Sequence, residues 1–85
     1  MKNIIKNVNE LVAGNLYYLK CIKKRNKLRT TYLLYDLEFN KILYVANINM
    51  LIMFIEKDRE DFIKVMVEDK IGYMYYDWFE FIEIQ

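Results

Sequence analysis

Between Asp61 and Glu68 the side chains alternate. Ile63, Val65 and Val67 fall on one side and Lys64, Met66 and Glu68 on the other. A period of two is the mark of a strand with one buried and one wet face. Segments of similar chemistry recur along the chain. Residues 16–24 are rich in Tyr, Leu and Ile and read as a first strand. Residues 29–38 (R-T-T-Y-L-L-Y-D-L-E) read as a second, built from β-branched and aromatic residues. A short third strand is expected at 41–46, after a turn at Asn40 and Lys41. The alternating segment 61–68 is the fourth, and the aromatic segment 73–84, kinked near Asp77, is the fifth. Polar interruptions at 24–27 and 68–72 supply turns.

One stretch departs from this pattern. Ile48, Leu51, Ile52 and Ile55 share a face at helical spacing, and Asn47 precedes them as a candidate N-cap. The spacing predicts a helix over 48–57, ended by the charged segment 56–61. The element order is then β-β-β-α-β-β. That is the order of a mainly β, small OB-like Greek-key barrel with one short helix between strands three and four. An SH3-like barrel, or an open sheet with a helix packed across it, is the rival architecture.

Composition narrows the function. At 85 residues the chain is read as a single domain, 1–85, and 55% apolar content is enough to build a core. The lone Cys21 excludes an internal disulfide, and the absence of His with a single Cys excludes a structural zinc site. Cys21 has lysines nearby but no His for a dyad, so it reads as a structural thiol. Glu56, Asp58, Glu60 and Asp61 lack the glycine-containing spacing of a calcium loop and read as a solvated connector. No glycine-rich phosphate loop is found. The expectation is a protein that is not an enzyme and uses no metal or cofactor.

The longest apolar run, 48–55, is far short of the roughly 20 residues that cross a bilayer. The segment Met1 to Asn9 is too polar for a signal-peptide core. A soluble, cytoplasmic protein without membrane contact is expected. The bias toward Lys, Asn, Ile and Tyr suggests an AT-rich coding genome, such as that of a low-GC bacterium or its phages.

Charge is split along the chain. Residues 1–50 carry nine Lys/Arg and three Asp/Glu, whereas residues 51–85 carry four and nine. The densest cluster is Lys20, Lys23, Lys24, Arg25, Lys27 and Arg29, with no acid between Glu10 and Asp36. Lys23, Lys24, Arg25, Lys27 and Arg29 between strands one and two could neutralise phosphates with release of counterions. The plainer alternative is a solvated hairpin tip. In strand two, Thr30, Tyr32, Leu34 and Asp36 share a face, and Asp36 argues that this face is wet. Tyr32 is then a candidate stacking platform, with Tyr44 and Tyr18 joining it from neighbouring strands. The alternative is that these rings are core. At the chain end, Tyr75, Tyr76, Trp78 and Glu80 form a candidate protein interface, since Tyr and Trp are enriched in hot spots. The acids there equally suit the wet face of an edge strand.

Four segments carry a resemblance. They are Leu11-x-x-Gly14-x-x-Tyr17-x-Leu19-x-x-Ile22, then Thr31 to Asp36, then Tyr44 to Asn47, then Tyr75 to Glu80. The chain resembles the small OB-fold single-stranded-DNA-binding modules of viruses and mobile elements. It departs from them in a 23–29 loop that is unusually basic and lacks glycine. The resemblance implies a module that holds single-stranded nucleic acid on Lys23, Lys24, Arg25, Lys27 and Arg29, with Tyr32 and Tyr44 stacking. The alternative is a small phage-encoded, anti-CRISPR-like inhibitor that docks on a host protein. A homodimer through the fifth strand is compatible with either.

Overall fold

The computed structural model describes residues 3–22 and 29–84. The protein is mainly β. Its strands are β1 (Ile4–Ile5), β2 (Leu16–Cys21), β3 (Thr31–Tyr35), β4 (Ile42–Asn47), β5 (Ile52–Arg59), β6 (Phe62–Val67), β7 (Lys70–Tyr75) and β8 (Phe79–Glu83). All pairings are antiparallel, and they form one sheet in the order β1-β8-β2-β5-β6-β7-β3-β4. Among the described residues the sheet does not close: β1 and β4 are its outermost strands. Among the described residues no helix is long and apolar enough to cross a membrane.

The alternation at 61–68 is realised in β6, where Ile63, Val65 and Val67 are fully buried. The first three expected strands correspond to β2, β3 and β4. The expected fifth strand is two strands, β7 and β8, broken at 76–78 by a turn in which the Phe79 N–H donates to the Tyr76 carbonyl at 3.0 Å. The break falls at the Asp77 kink. Two elements are additional: β1 and a 3-10 turn at Val8–Glu10.

The helix expected over 48–57 is not formed. Residues 47–50 make a tight turn, and Ile52–Arg59 form the strand β5. Asn47 still behaves as a local acceptor: its side chain takes the Asn49 N–H at 2.9 Å, and its carbonyl takes the Met50 N–H at 3.0 Å. That is a turn rather than a helix start. Ile52 and Phe54 are buried while Met53 and Ile55 are half-buried, so the realised period is two. The reason is non-local. β6 offers β-branched partners in register, Ile52↔Val67 and Phe54↔Val65, and cross-strand packing outweighs a weak helical spacing.

Chain connectivity makes the sheet curl. β7 and β8 stand four places apart but are joined by residues 76–78 alone. In a flat sheet four steps cover about 19 Å at ~4.8 Å each. Four residues of chain, from Tyr75 to Phe79, reach about 14 Å at most. The sheet therefore bends and buries its concave face against itself. That face carries Tyr17, Leu34, Ile52, Ile63, Val65, Val67, Met74 and Phe81.

Gly72 lies in the middle of β7, where β3 crosses close by. A Cβ there would overlap the Tyr35 carbonyl oxygen and sit 2.8 Å from Leu34 Cγ. Only a residue without a side chain allows this approach.

Candidate nucleic-acid interface

β3 and β7 meet at one rung among the described residues, Tyr35↔Tyr73. Toward Thr31 the two strands part, and a groove of about 490 Å³ opens between them. One wall is Thr31, Leu33 and Tyr35; the other is Phe62, Tyr75 and Trp78; the buried rings of Tyr32 and Phe79 lie beneath. The outer-wall rings follow from strand alternation, because Tyr35, Phe62 and Tyr75 occupy positions opposite in phase to the buried Leu34, Ile63 and Met74. They meet edge to face: Tyr35–Phe62 at 6.0 Å, Phe62–Tyr75 at 5.7 Å and Tyr75–Trp78 at 6.3 Å between centroids.

Arg29 is exposed at this groove, and its guanidinium carbon lies 3.3 Å from the Trp78 ring centroid. A cation over the face of Trp is a favourable contact. Trp78 also fixes the other flank of the basic segment, since its carbonyl accepts the Ile22 N–H at 2.8 Å. The Arg29 N–H in turn reaches Cys21 Sγ at 3.0 Å, which gives the thiol a structural contact. Lys23, Lys24, Arg25 and Lys27 lie outside the described residues.

The wet face assigned to strand two is reversed. Tyr32 and Leu34 point into the core, at 6% and 0% exposure, while Thr31 and Leu33 are exposed. Asp36 misleads because it lies beyond the end of β3. Its carboxylate accepts the Asn40 N–H at 2.7 Å and the Lys41 N–H at 3.4 Å within the following turn. Tyr32 is thus not an open platform: its ring packs on Phe79, and its hydroxyl is buried without a partner among the described residues. Burial, then the neighbouring Tyr44, push its phenol well above the ordinary value.

Tyr44 does not join the groove. Its hydroxyl donates to the Glu68 carboxylate at 2.9 Å, with Met50 Sδ at 3.7 Å, and the Lys70 ammonium sits 4.6 Å over its ring. The bond to Glu68 is the main cause that raises its pKa. Among the interface candidates, Tyr75 and Trp78 line the groove with Arg29. Tyr76 packs against the core, and Glu80, on β8, lies 4.0 Å from the Lys6 ammonium. The structure thus joins one member of the basic set to two of the aromatic set.

Sequence reasoning missed Leu33, Tyr35 and Phe62 as groove residues. The signal for Leu33 and Tyr35 was present, since they share a face with Thr31, but Asp36 assigned that face inward. Phe62 falls inside the expected fourth strand, 61–68, in phase with Lys64 and Met66, but nothing local to it shows that its ring meets Tyr35 and Tyr75.

A second ring cluster locks the rung below the groove. Phe39 stacks on Tyr73 at 4.8 Å, and the Arg59 guanidinium lies 4.2 Å over Phe39. Phe39 holds this position with φ of 58°, in the left-handed region that bulky residues avoid. The Tyr73 hydroxyl donates to Asp58 at 2.8 Å, which raises its pKa. Among the described residues, no group of three His, Cys, Asp or Glu is placed to hold a metal ion. Comparison with protein-family models, curated proteins and solved structures finds no match for this chain.

Proposed function

We propose that this chain is a binding module for single-stranded nucleic acid, with the groove between β3 and β7 taking bases and the basic segment 23–29 taking phosphates. The observation that carries the reading is Arg29 over Trp78, at the mouth of a ring-lined groove. Both described flanks of the segment are fastened there, Ile22 to the Trp78 carbonyl and Arg29 to the Trp78 ring. The single-stranded ligands this chemistry suits are held by stacking, at about 1–3 kcal/mol per base, and by salt-sensitive phosphate contacts. Tyr35, Phe62, Tyr75 and Trp78 replace Tyr32 and Tyr44 as the stacking rings. The reading keeps an OB-like use of a curved sheet and does not need a closed barrel.

The test uses the chain's only tryptophan. A single-stranded oligonucleotide is expected to change Trp78 emission and to bind more weakly as salt rises. Charge reversal at Lys24 and Arg25 is expected to abolish binding. No binding at low salt discards the reading.

A second reading, docking on a host protein, is favoured by β4. This outermost strand exposes Ile42, Leu43 and Val45, at 49%, 39% and 56%. If it is correct, Val45→Lys abolishes function in the host while leaving oligonucleotide binding absent in both forms.

A further inference from the structure

The seam beside the groove presents main-chain groups that no strand takes up among the described residues. The Thr30 carbonyl accepts the Ile48 N–H, and the Asp36 N–H donates to the Lys41 carbonyl, both at 3.0 Å. Main-chain groups of even-numbered residues in β3 therefore face β4, and those of Thr31, Leu33 and Tyr35 face the opposite way. On β7 the alternation runs the same way. The Tyr76 N–H goes to the Asp61 carbonyl at 3.1 Å, on the β6 side, which turns Tyr73 and Tyr75 toward β3. Tyr35 and Tyr73 form the rung. Leu33 and Tyr75 would be the next pair in register, but the ladder ends at the Tyr35 rung and both residues line the groove instead. Among the described residues, the Leu33 N–H and C=O thus face the aromatic walls with no strand paired to them on that side.

We propose that this seam holds one nucleobase of a single strand by its Watson–Crick edge, hydrogen-bonded to the N–H and C=O of Leu33, with its faces against the groove rings. The inference rests on the proposed nucleic-acid function and names the contact that selects single strands. An extended residue offers a donor and an acceptor side by side. The Watson–Crick edge of a base offers a matching acceptor and donor, and single-stranded recognition reads that edge. A duplex has its edges occupied and is excluded. A polypeptide strand also pairs with a free sheet edge, but it needs a run of rungs. Among the described residues the free edge here is Thr31 and Leu33: the Arg29 N–H is used by Cys21 Sγ, and Tyr35 by its rung. That length is short for strand addition and sufficient for a base. Arg29 at the groove supplies positive charge for the adjoining phosphate.

The test compares two labelled thymidine oligonucleotides of about twelve residues, within the span a small module covers. In one, every base is methylated at N3. The methyl removes the N3–H donor and blocks the edge, while phosphates and ring faces are retained. The methylated strand is expected to bind about tenfold more weakly or worse, the worth of one two-point base contact. The salt slopes of the two are expected to match. Equal affinities overturn the edge contact and leave nucleic-acid binding standing. Failure of both to bind at low salt overturns the function as well. Leu33→Pro is the protein-side test, because it deletes a seam-facing N–H and no bond to β4. In a Leu33→Pro protein shown by circular dichroism to be folded, the unmethylated strand is expected to fall toward the methylated affinity. Unchanged affinity in that folded variant overturns the proposal. The methylation comparison uses the unaltered protein and stands whether or not the variant folds.

Discussion

Tyr32 and Phe79 pack edge to face with their centroids 5.9 Å apart, although their strands stand five places from each other in the sheet. The contact exists only because the sheet curls, and it forms the base of the groove. Among the described residues the Tyr32 hydroxyl is left buried beneath it without a partner. An unpartnered buried hydroxyl costs about 1–3 kcal/mol. Tyr32→Phe keeps the ring and is expected to raise stability by about 1 kcal/mol, read as a higher urea midpoint at unchanged slope. Tyr32→Ala is expected to lose about 3–5 kcal/mol, as buried aromatic truncations do. A fall in the midpoint for Tyr32→Phe would show that the hydroxyl is used.

The same group carries a pH signature. Its folded pKa is raised by burial above the ordinary value of 10.0, so the fold favours the protonated phenol. The sign follows by linkage: this contribution is fully present below pH of about 10 and is lost as pH climbs toward the raised folded value. Urea titrations on the alkaline side should therefore show a falling stability whose slope is shallower in Tyr32→Phe. Identical slopes would remove Tyr32 from the alkaline transition.

Gly72→Ala places a methyl group against the Tyr35 carbonyl oxygen and Leu34 Cγ. The backbone cannot yield as a side-chain tip does, and overpacking costs about 1–3 kcal/mol. The expected loss is about 2 kcal/mol. Ile71→Ala, at an exposed neighbouring position, is the control and is expected to change little. Equal midpoints for the two variants would mean that β3 does not press on β7 at this point.

β5 can be told from a helix by two isoleucines. Ile52 and Ile55 share a helix face but lie on opposite faces of a strand. In β5, Ile52 is fully buried and Ile55 is half-buried. Ile52→Ala is expected to cost about 2–5 kcal/mol. Ile55→Ala is expected to cost about 1 kcal/mol or less, because less apolar surface is removed from the core. Similar losses at both positions would restore the helical reading of 48–57.

Arg29→Ala removes the guanidinium from the Trp78 ring. Such contacts contribute about 0.5–2 kcal/mol, so the effect on stability is modest and the clearer readout is Trp78 emission in the free protein. If a phosphate is also held there, the salt slope of oligonucleotide binding should fall by about 0.7, the value for one lost contact on a single strand. A changed emission with an unchanged slope would make Arg29 a cap on Trp78 and no more.

Much of the strand map was legible locally. The buried set Ile63, Val65 and Val67 follows from alternation alone, because successive side chains of a strand point to opposite faces whatever the partner. The break near Asp77 was also legible. The faces of β3 were not, since the residue used to orient them, Asp36, bonds within the next turn. The sequence offers Tyr75 and Trp78 as a candidate protein interface and Arg29 as a candidate phosphate contact. That they share one groove depends on the 76–78 connection drawing β8 across the curled sheet.

By itself the sequence determined a β-rich single chain without histidine or paired thiols, and it placed most strands, because side-chain alternation is a property of neighbouring residues. The tertiary structure decided the state of 52–59, the inward turn of Tyr32 and the opening between β3 and β7. Those depend on which strand lies beside which, and that pairing is set by packing between residues far apart in the chain, where local spacing has no information to give.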